Sequence, residues 1–442
     1  MERNRYADLL RVGAIGTVVL GHWLLTNPTY RNGQLSGQDA LQYVAWGRWL
    51  TLLFQVMPAV FLVGGFANAA SWTEHHEHGG DWAGWVRRRA LRLLWPVTVY
   101  LAAVFLGVSA ARASGVGTSE LARTGWYIAL HLWFLPVYLL LIALTPVLLA
   151  AHHRWGLRVP VVMAIAAAAV DLAVLGPRLP VVGFANYLLV WGSMHQWGFA
   201  WHDGRLTRGR RPFVMAAAGA VILAGLLAWG PFPVDMVGTG RRAGNTTPPS
   251  IALLAFAAAQ CGLLLAAQPA GRRLVATAKR QDRIARLNRA VMTLYLWHPV
   301  PVVIVAITLY PAGIVPQAAV GSWQWWALRP LWIAVLALLL VPLALAVQRA
   351  QRPLRRLAAD PVRGGRRSAV LLACGLAVIL PALARLAVNG FAPAGHPAGA
   401  VLALYVGGLL LVLFSRRYRP RLGRPRRVGL RAQGSTPGRG GR

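Results

Sequence analysis

Apolar residues run through this chain in long, nearly uninterrupted stretches rather than alternating with polar ones. Stretches of 17 to 25 residues reach across roughly 30 Å of hydrocarbon at about 1.5 Å per residue. Twelve are predicted as membrane-spanning helices: residues 7–26, 49–70, 90–110, 126–150, 157–175, 181–201, 212–230, 250–267, 289–313, 325–347, 368–388 and 398–415. The predicted class is all-α, a polytopic transmembrane bundle with a ten-helix core, two further C-terminal helices, and both ends on the same side. Connections are short, except residues 26–48 and the segment "DMVGTGRRAGNTTPPS" (235–250), so none accommodates a soluble catalytic domain.

Composition agrees with the pattern. The 442 residues are 57% hydrophobic and only 13% charged, where a soluble domain carries about 25%. Arg3 and Arg5 flank the first stretch as in a signal peptide, but Arg11 interrupts it and no small-residue cleavage site follows, so it reads as a retained span. Cys261 and Cys374 fall inside predicted spans without disulfide or metal-ligand spacing, and read as packing residues. The loop "EHHEHGGD" (74–81) likewise lacks regular ligand spacing, and no metal site is predicted.

The net charge of +34 suggests a polynucleotide partner until the arginines are placed on the topology. Most fall at the amino terminus, in even-numbered loops and in the tail, the positive-inside pattern of a multi-pass cell-membrane protein with both termini in the cytoplasm. The basic surplus then reports topology and contact with anionic lipid, with no nucleic-acid partner. Four regions follow: the ten-helix core (1–350), a basic cytoplasmic linker (351–367) within "QRAQRPLRRLAADPVRGGRR", two additional helices (368–415) and a basic disordered tail (416–442).

Ionisable groups inside such spans are functional candidates. Arg11 and His22 are eleven residues apart, three turns plus about 20°, so both leave one helix face with an axial separation of about 16 Å. Asp8 lies one turn before Arg11 and can pair with it. Arg89 and Arg92, in "RALR" at the entrance of the third span, present guanidinium groups suited to phosphates. His298 precedes Pro299 in the ninth span, where proline loosens the helix. His131 and Trp133 lie in the fourth span with Pro136 as a second break, and His195 in the sixth. Gly64 and Gly65, in "FLVGGF", permit close backbone approach in the second span.

In order, these segments resemble the integral membrane acyltransferase-3 family: "YADLLRVGAIGTVVLGH", "FLVGGF", "RALR", "HLWFL" and "LYLWHP", over roughly residues 5 to 350. Two departures stand out. The family motif commonly has Ser-Gly where this chain has Gly64-Gly65, and two helices follow the core where some members carry a soluble esterase-like domain. The resemblance implies transfer of an acyl group, commonly acetyl, from acyl-CoA to a hydroxyl of a glycan, lipid-linked sugar or small metabolite. No permanently bound cofactor is implied. Carried onto this sequence, Arg11, Arg89 and Arg92 hold the phosphates of cytoplasmic acyl-CoA and Asp8 orients Arg11. His22 acts as general base or carries the acyl group itself. His298 and Tyr295 line the acceptor side or stabilise the oxyanion, and His131 and Trp133 shape the wall. Two rivals remain from the residues alone. One is a twelve-helix secondary transporter using membrane histidines; the other is a haem carrier with two histidines facing each other on adjacent helices.

Overall fold

Why the first helix begins and ends where it does fixes the frame of the molecule. The Asn4 side chain accepts the N–H groups of Tyr6 and Ala7, capping α1 (Arg5–Leu25) and setting Asp8 in its first turn. At the other end the Thr26 hydroxyl donates to the His22 carbonyl and the chain leaves as an antiparallel hairpin, β1 (Thr26–Arg31) and β2 (Gln34–Asp39). Asn32 and Gly33 form its two-residue turn, both with positive φ (51° and 75°), the backbone that Asn-Gly adopts most readily. This hairpin is the one sheet among the described residues, in a loop for which the hydrophobic pattern indicates no strand.

The structure, a computed structural model, describes residues 4–238, 244–351 and 365–415. After the hairpin come α2 (Ala40–Tyr43), α3 (Gly47–Phe54), α4 (Met57–Glu77), α5 (Trp82–Ala113), α6 (Thr118–Tyr127) and a 3₁₀ turn at Leu130–Trp133. Then follow α7 (Phe134–Trp155), α8 (Arg158–Leu175), a 3₁₀ turn at Val182–Phe184, α9 (Ala185–His202), α10 (Arg211–Trp229), α11 (Ile251–Ala266) and α12 (Gln268–Leu274). The chain continues through α13 (Ala278–Trp297), α14 (Pro299–Thr308) and α15 (Trp323–Ala350) to α16 (Arg366–Asn389) and α17 (Gly399–Phe414). The predicted tail lies outside the described residues, as does residue range 352–364 of the predicted linker.

The molecule is an all-α membrane bundle, and its span count is lower than the hydrophobic pattern suggests. Among the described residues, eight helices are long and apolar enough to cross a membrane, or ten when the bent pairs α11–α12 (54°) and α13–α14 (45°) each count once. The two others expected are helices of a different character. α9 carries Asn186, Ser193, His195 and Gln196, all buried, and α17 has only 16 residues. The polar side chains that α9 turns to its neighbours lower its mean hydropathy, and α17 is short, although the hydrophobic pattern marks both stretches.

Close crossings hold the bundle together. A Cβ on Gly65 would lie 2.0 Å from the His195 carbonyl oxygen, and one on Gly198 would lie 2.3 Å from that of Leu62, so α4 and α9 touch backbone to backbone. Gly65→Ala is therefore expected to lower stability by about 1–3 kcal/mol or more, as over-packing does. A thermal melt of the purified protein measures this, and an unchanged midpoint would contradict so close a crossing.

α16 lies against α17, α5, α7 and the 3₁₀ turn at Leu130–Trp133. Their contacts are specific: Thr98 and Tyr405 share a hydroxyl hydrogen bond (2.8 Å), and the Phe391 amide donates to the Gly125 carbonyl (3.1 Å). Cys261 is buried as expected, whereas Cys374 is exposed on α16 among the described residues.

Candidate active site

Two polar centres occupy the two ends of α1, and α13 with its continuation meets both. At the amino-terminal end, Arg11 Nη1 lies 3.6 Å from Asp8 Oδ1. Asn288 of α13 bridges the pair, donating from Nδ2 to Asp8 Oδ1 (2.8 Å) while its own Oδ1 faces Arg11 Nη1 (3.5 Å). Asp8 is buried, so its carboxylate fixes the guanidinium of a half-exposed Arg11. Arg11 and Arg92 both lie near enough to Arg89 to repel it electrostatically, so the three cations border one region. Arg89 is half-buried and Arg92 exposed. Arg89 sits 5.4 Å from the centre of the Trp85 ring and donates to Asn68 Oδ1, leaving Asn68 Nδ2 to donate to His195 Nε2 (3.0 Å).

At the carboxyl-terminal end, the bend between α13 and α14 brings His298 to His22. Pro299 opens α14 and has no N–H to offer, so the helix axis breaks by 45° with His298 at the corner. Trp23 Nε1 donates to the His298 carbonyl (2.9 Å) and pins the corner to α1. His22 Nδ1 and His298 Nε2 are 2.7 Å apart, with the rings 17° from parallel. The rings bond directly to each other, not across an intervening plane.

This hydrogen-bond chain assigns the protons. The Tyr295 carbonyl, 2.7 Å from His298 Nδ1, can only accept, so His298 Nδ1 carries a proton. In the neutral ring His298 Nε2 is then an acceptor, and His22 Nδ1–H donates to it. His22 is left with an unprotonated Nε2 that has no hydrogen-bond partner among the described residues. His298 is fully buried, whereas His22 is partly exposed, so the free lone pair sits on the accessible ring.

His131 packs edge-on against His298 and Tyr295 with centroids 5.3 Å away in each case, and Tyr295 donates its hydroxyl to the His131 carbonyl. The turn that presents His131 is the 3₁₀ segment ahead of Pro136. Pro136 itself lies in the first turn of α7, where its missing N–H costs nothing, so the expected break falls before it. Trp133 stands apart from this group, since its ring meets Phe134 and Trp191.

A model of the acyltransferase-3 family, described as an acyltransferase domain, matches residues 4–349. The chain belongs to the acyltransferase-3 family. No curated protein and no solved structure matches the chain. It is a multi-pass membrane acyltransferase, and the secondary-transporter reading gives way to it.

Within this acyltransferase, several polar residues at the two centres escape a reading of the sequence. Asn288 and Asn68 are neutral amides, distinguished only by the groups they join. Tyr138 is the third. A Cβ on Gly64 would lie 2.6 Å from the Tyr138 ring and 3.1 Å from its hydroxyl, which itself lies within hydrogen-bonding reach of Arg89. The space that a serine would take at position 64 is thus filled by a phenol.

Proposed function

We propose that this acyltransferase moves an acyl group, acetyl in the simplest case, from cytoplasmic acyl-CoA to a hydroxyl of a glycan, lipid-linked sugar or small metabolite. The observation that carries the reading is the hydrogen-bond chain from the Tyr295 carbonyl through His298 to His22 Nδ1, which leaves His22 Nε2 as the base, at the far end of the helix from the Asp8–Arg11 cluster. With both termini in the cytoplasm, the Arg11 end faces the donor pool. Arg11, Arg89 and Arg92 hold the CoA phosphates, and the pantetheine arm spans the rise of about 16 Å to His22. His22 Nε2 takes the proton from the acceptor hydroxyl as its oxygen attacks the thioester carbonyl. The C–S bond then breaks, and the imidazolium returns the proton to the departing thiolate, so CoA leaves as the free thiol. His131 and Tyr295 wall the acceptor side, with Trp133 farther along it.

The donor half of this reading has its own test. By calorimetry in nanodiscs, Arg11→Ala is expected to raise the Kd for acetyl-CoA at least tenfold, equivalent to about 1.4 kcal/mol, while His22→Ala binds as tightly as the wild type. Equal affinity in Arg11→Ala, or loss of binding in His22→Ala, would overturn the assignment of the two ends.

A further inference from the structure

Just past His22, where α1 gives way to β1, the hairpin and the start of α15 border an open cleft, and Arg329 lines it. Arg329 is only 7% exposed. Nη1 donates to the Thr26 carbonyl (3.2 Å) and Nη2 to Asn27 Oδ1 (2.9 Å), while the guanidinium carbon lies 4.1 Å from the centre of the Trp325 ring and 5.7 Å from that of Trp332. Its Nε has no hydrogen-bond partner among the described residues. Every one of these neighbours is neutral, and no carboxylate among the described residues forms an ion pair with it. Holding a hairpin to a helix requires only neutral donors. A buried guanidinium without a counter-charge is costly, and an anion entering the cleft removes that cost.

We propose that this cleft binds an anionic group of the acceptor, a carboxylate or a phosphate ester, at Arg329. Arg31 lines the same cleft and adds a second positive charge near its exposed side. The position suits a substrate of the His22 centre: Thr26 lies four residues beyond His22, about 6 Å along the axis. Trp332 also donates to the carbonyl of Trp23, the neighbour of His22 (2.9 Å). An acidic sugar or sugar phosphate anchored by its charge at Arg329 would extend its hydroxyls towards His22 Nε2. The word acceptor here rests on the acyltransfer reading of His22; the binding itself does not.

The test is direct binding, independent of turnover. The wild-type protein in phosphatidylcholine nanodiscs is titrated with glucuronate, glucose 1-phosphate and glucose, and tryptophan fluorescence is followed because Trp325 and Trp332 flank the guanidinium. Saturable changes are expected with both anions and none with glucose. Arg329→Gln, which keeps donors for Thr26 and Asn27, is expected to weaken both anions at least tenfold with acetyl-CoA affinity unchanged. Should that variant melt early, Arg329→Lys supplies the comparison, with weakened binding of both anions and still no response to glucose. Equal responses to glucose and glucuronate, or wild-type affinity in Arg329→Gln, would overturn the proposal. Displacement of glucuronate by phosphatidylglycerol added to the nanodiscs would reassign the anion to a lipid headgroup and overturn the acceptor assignment. Failure of the acyltransfer reading leaves a different signature: the anions bind, yet no thiol is released from acetyl-CoA.

Discussion

Replacing His22 with alanine is expected to reduce turnover by about 10²- to 10⁴-fold, the range that a positioned general base contributes, with acetyl-CoA affinity unchanged. The reason is the proton inventory of the site. The Tyr295 carbonyl fixes His298, His298 fixes His22, and of these two described rings His22 keeps an unengaged lone pair, at Nε2, on the ring that solvent or substrate reaches. Glutamine at the same position keeps polar reach but offers no comparable base, so His22→Gln is expected to be as slow as His22→Ala. Steady-state thiol release, paired with a binding titration, separates the two effects. A variant that loses binding and turnover in equal measure would place His22 in donor recognition instead.

The second large effect is expected at His298, which touches His22 and acts through it. His298→Ala removes the acceptor of the His22 Nδ1–H bond, frees the ring to rotate and to exchange tautomers, and leaves a cavity at the corner between α13 and α14. Turnover is expected to fall about 10²-fold, the scale on which loss of an orienting partner acts. His298→Gln tests orientation against packing, because its amide oxygen can accept from His22 Nδ1 without restoring the imidazole. Partial recovery of kcat by glutamine, with no change in the KM for acetyl-CoA, supports orientation. Equal losses in both variants, accompanied by equal falls in melting temperature, would leave His298 a packing residue only.

Much of this site is visible in the chain before any fold is known, because helical periodicity acts over short range. The eleven-residue spacing of Arg11 and His22 implies one face, and both side chains do meet the same element, Arg11 at Asn288 within α13 and His22 at His298 at its end. Asp8, one turn from Arg11, pairs with it as the spacing suggests. Long-range partnership is another matter. His22 and His298 are separated by 276 positions, and nothing local distinguishes His298 as a partner for His22 from His131 or His195. Asn288 and Asn68 bear no charge to draw attention, and Arg329 looks like one more arginine in an arginine-rich chain until its burial and its neutral surroundings are seen.

The fold divides in the same way. Long apolar stretches identify α1, α4, α5, α7, α8, α10, α15 and α16 as spans because lipid-facing helices must be apolar throughout. The stretch at 181–201 also reads as a span, but α9 is not apolar throughout, because its amides and His195 are turned to the bundle interior, where Asn68 supplies a hydrogen bond and neighbouring backbone carbonyls accept them. The hairpin is missed for a different reason: its signal is the dipeptide Asn32-Gly33, a turn cue and not a pattern of hydrophobicity.

In the proposed reaction His22 is the base that activates the acceptor hydroxyl against an acyl group delivered as a CoA thioester. The most direct measurement is free-thiol release from acetyl-CoA by the purified protein, with and without a crude cell-envelope extract, beside His22→Ala. Release that requires the extract and disappears in the variant is the expected result. Equal release by wild type and variant, or none from a wild-type protein that also fails to bind acetyl-CoA, would contradict it.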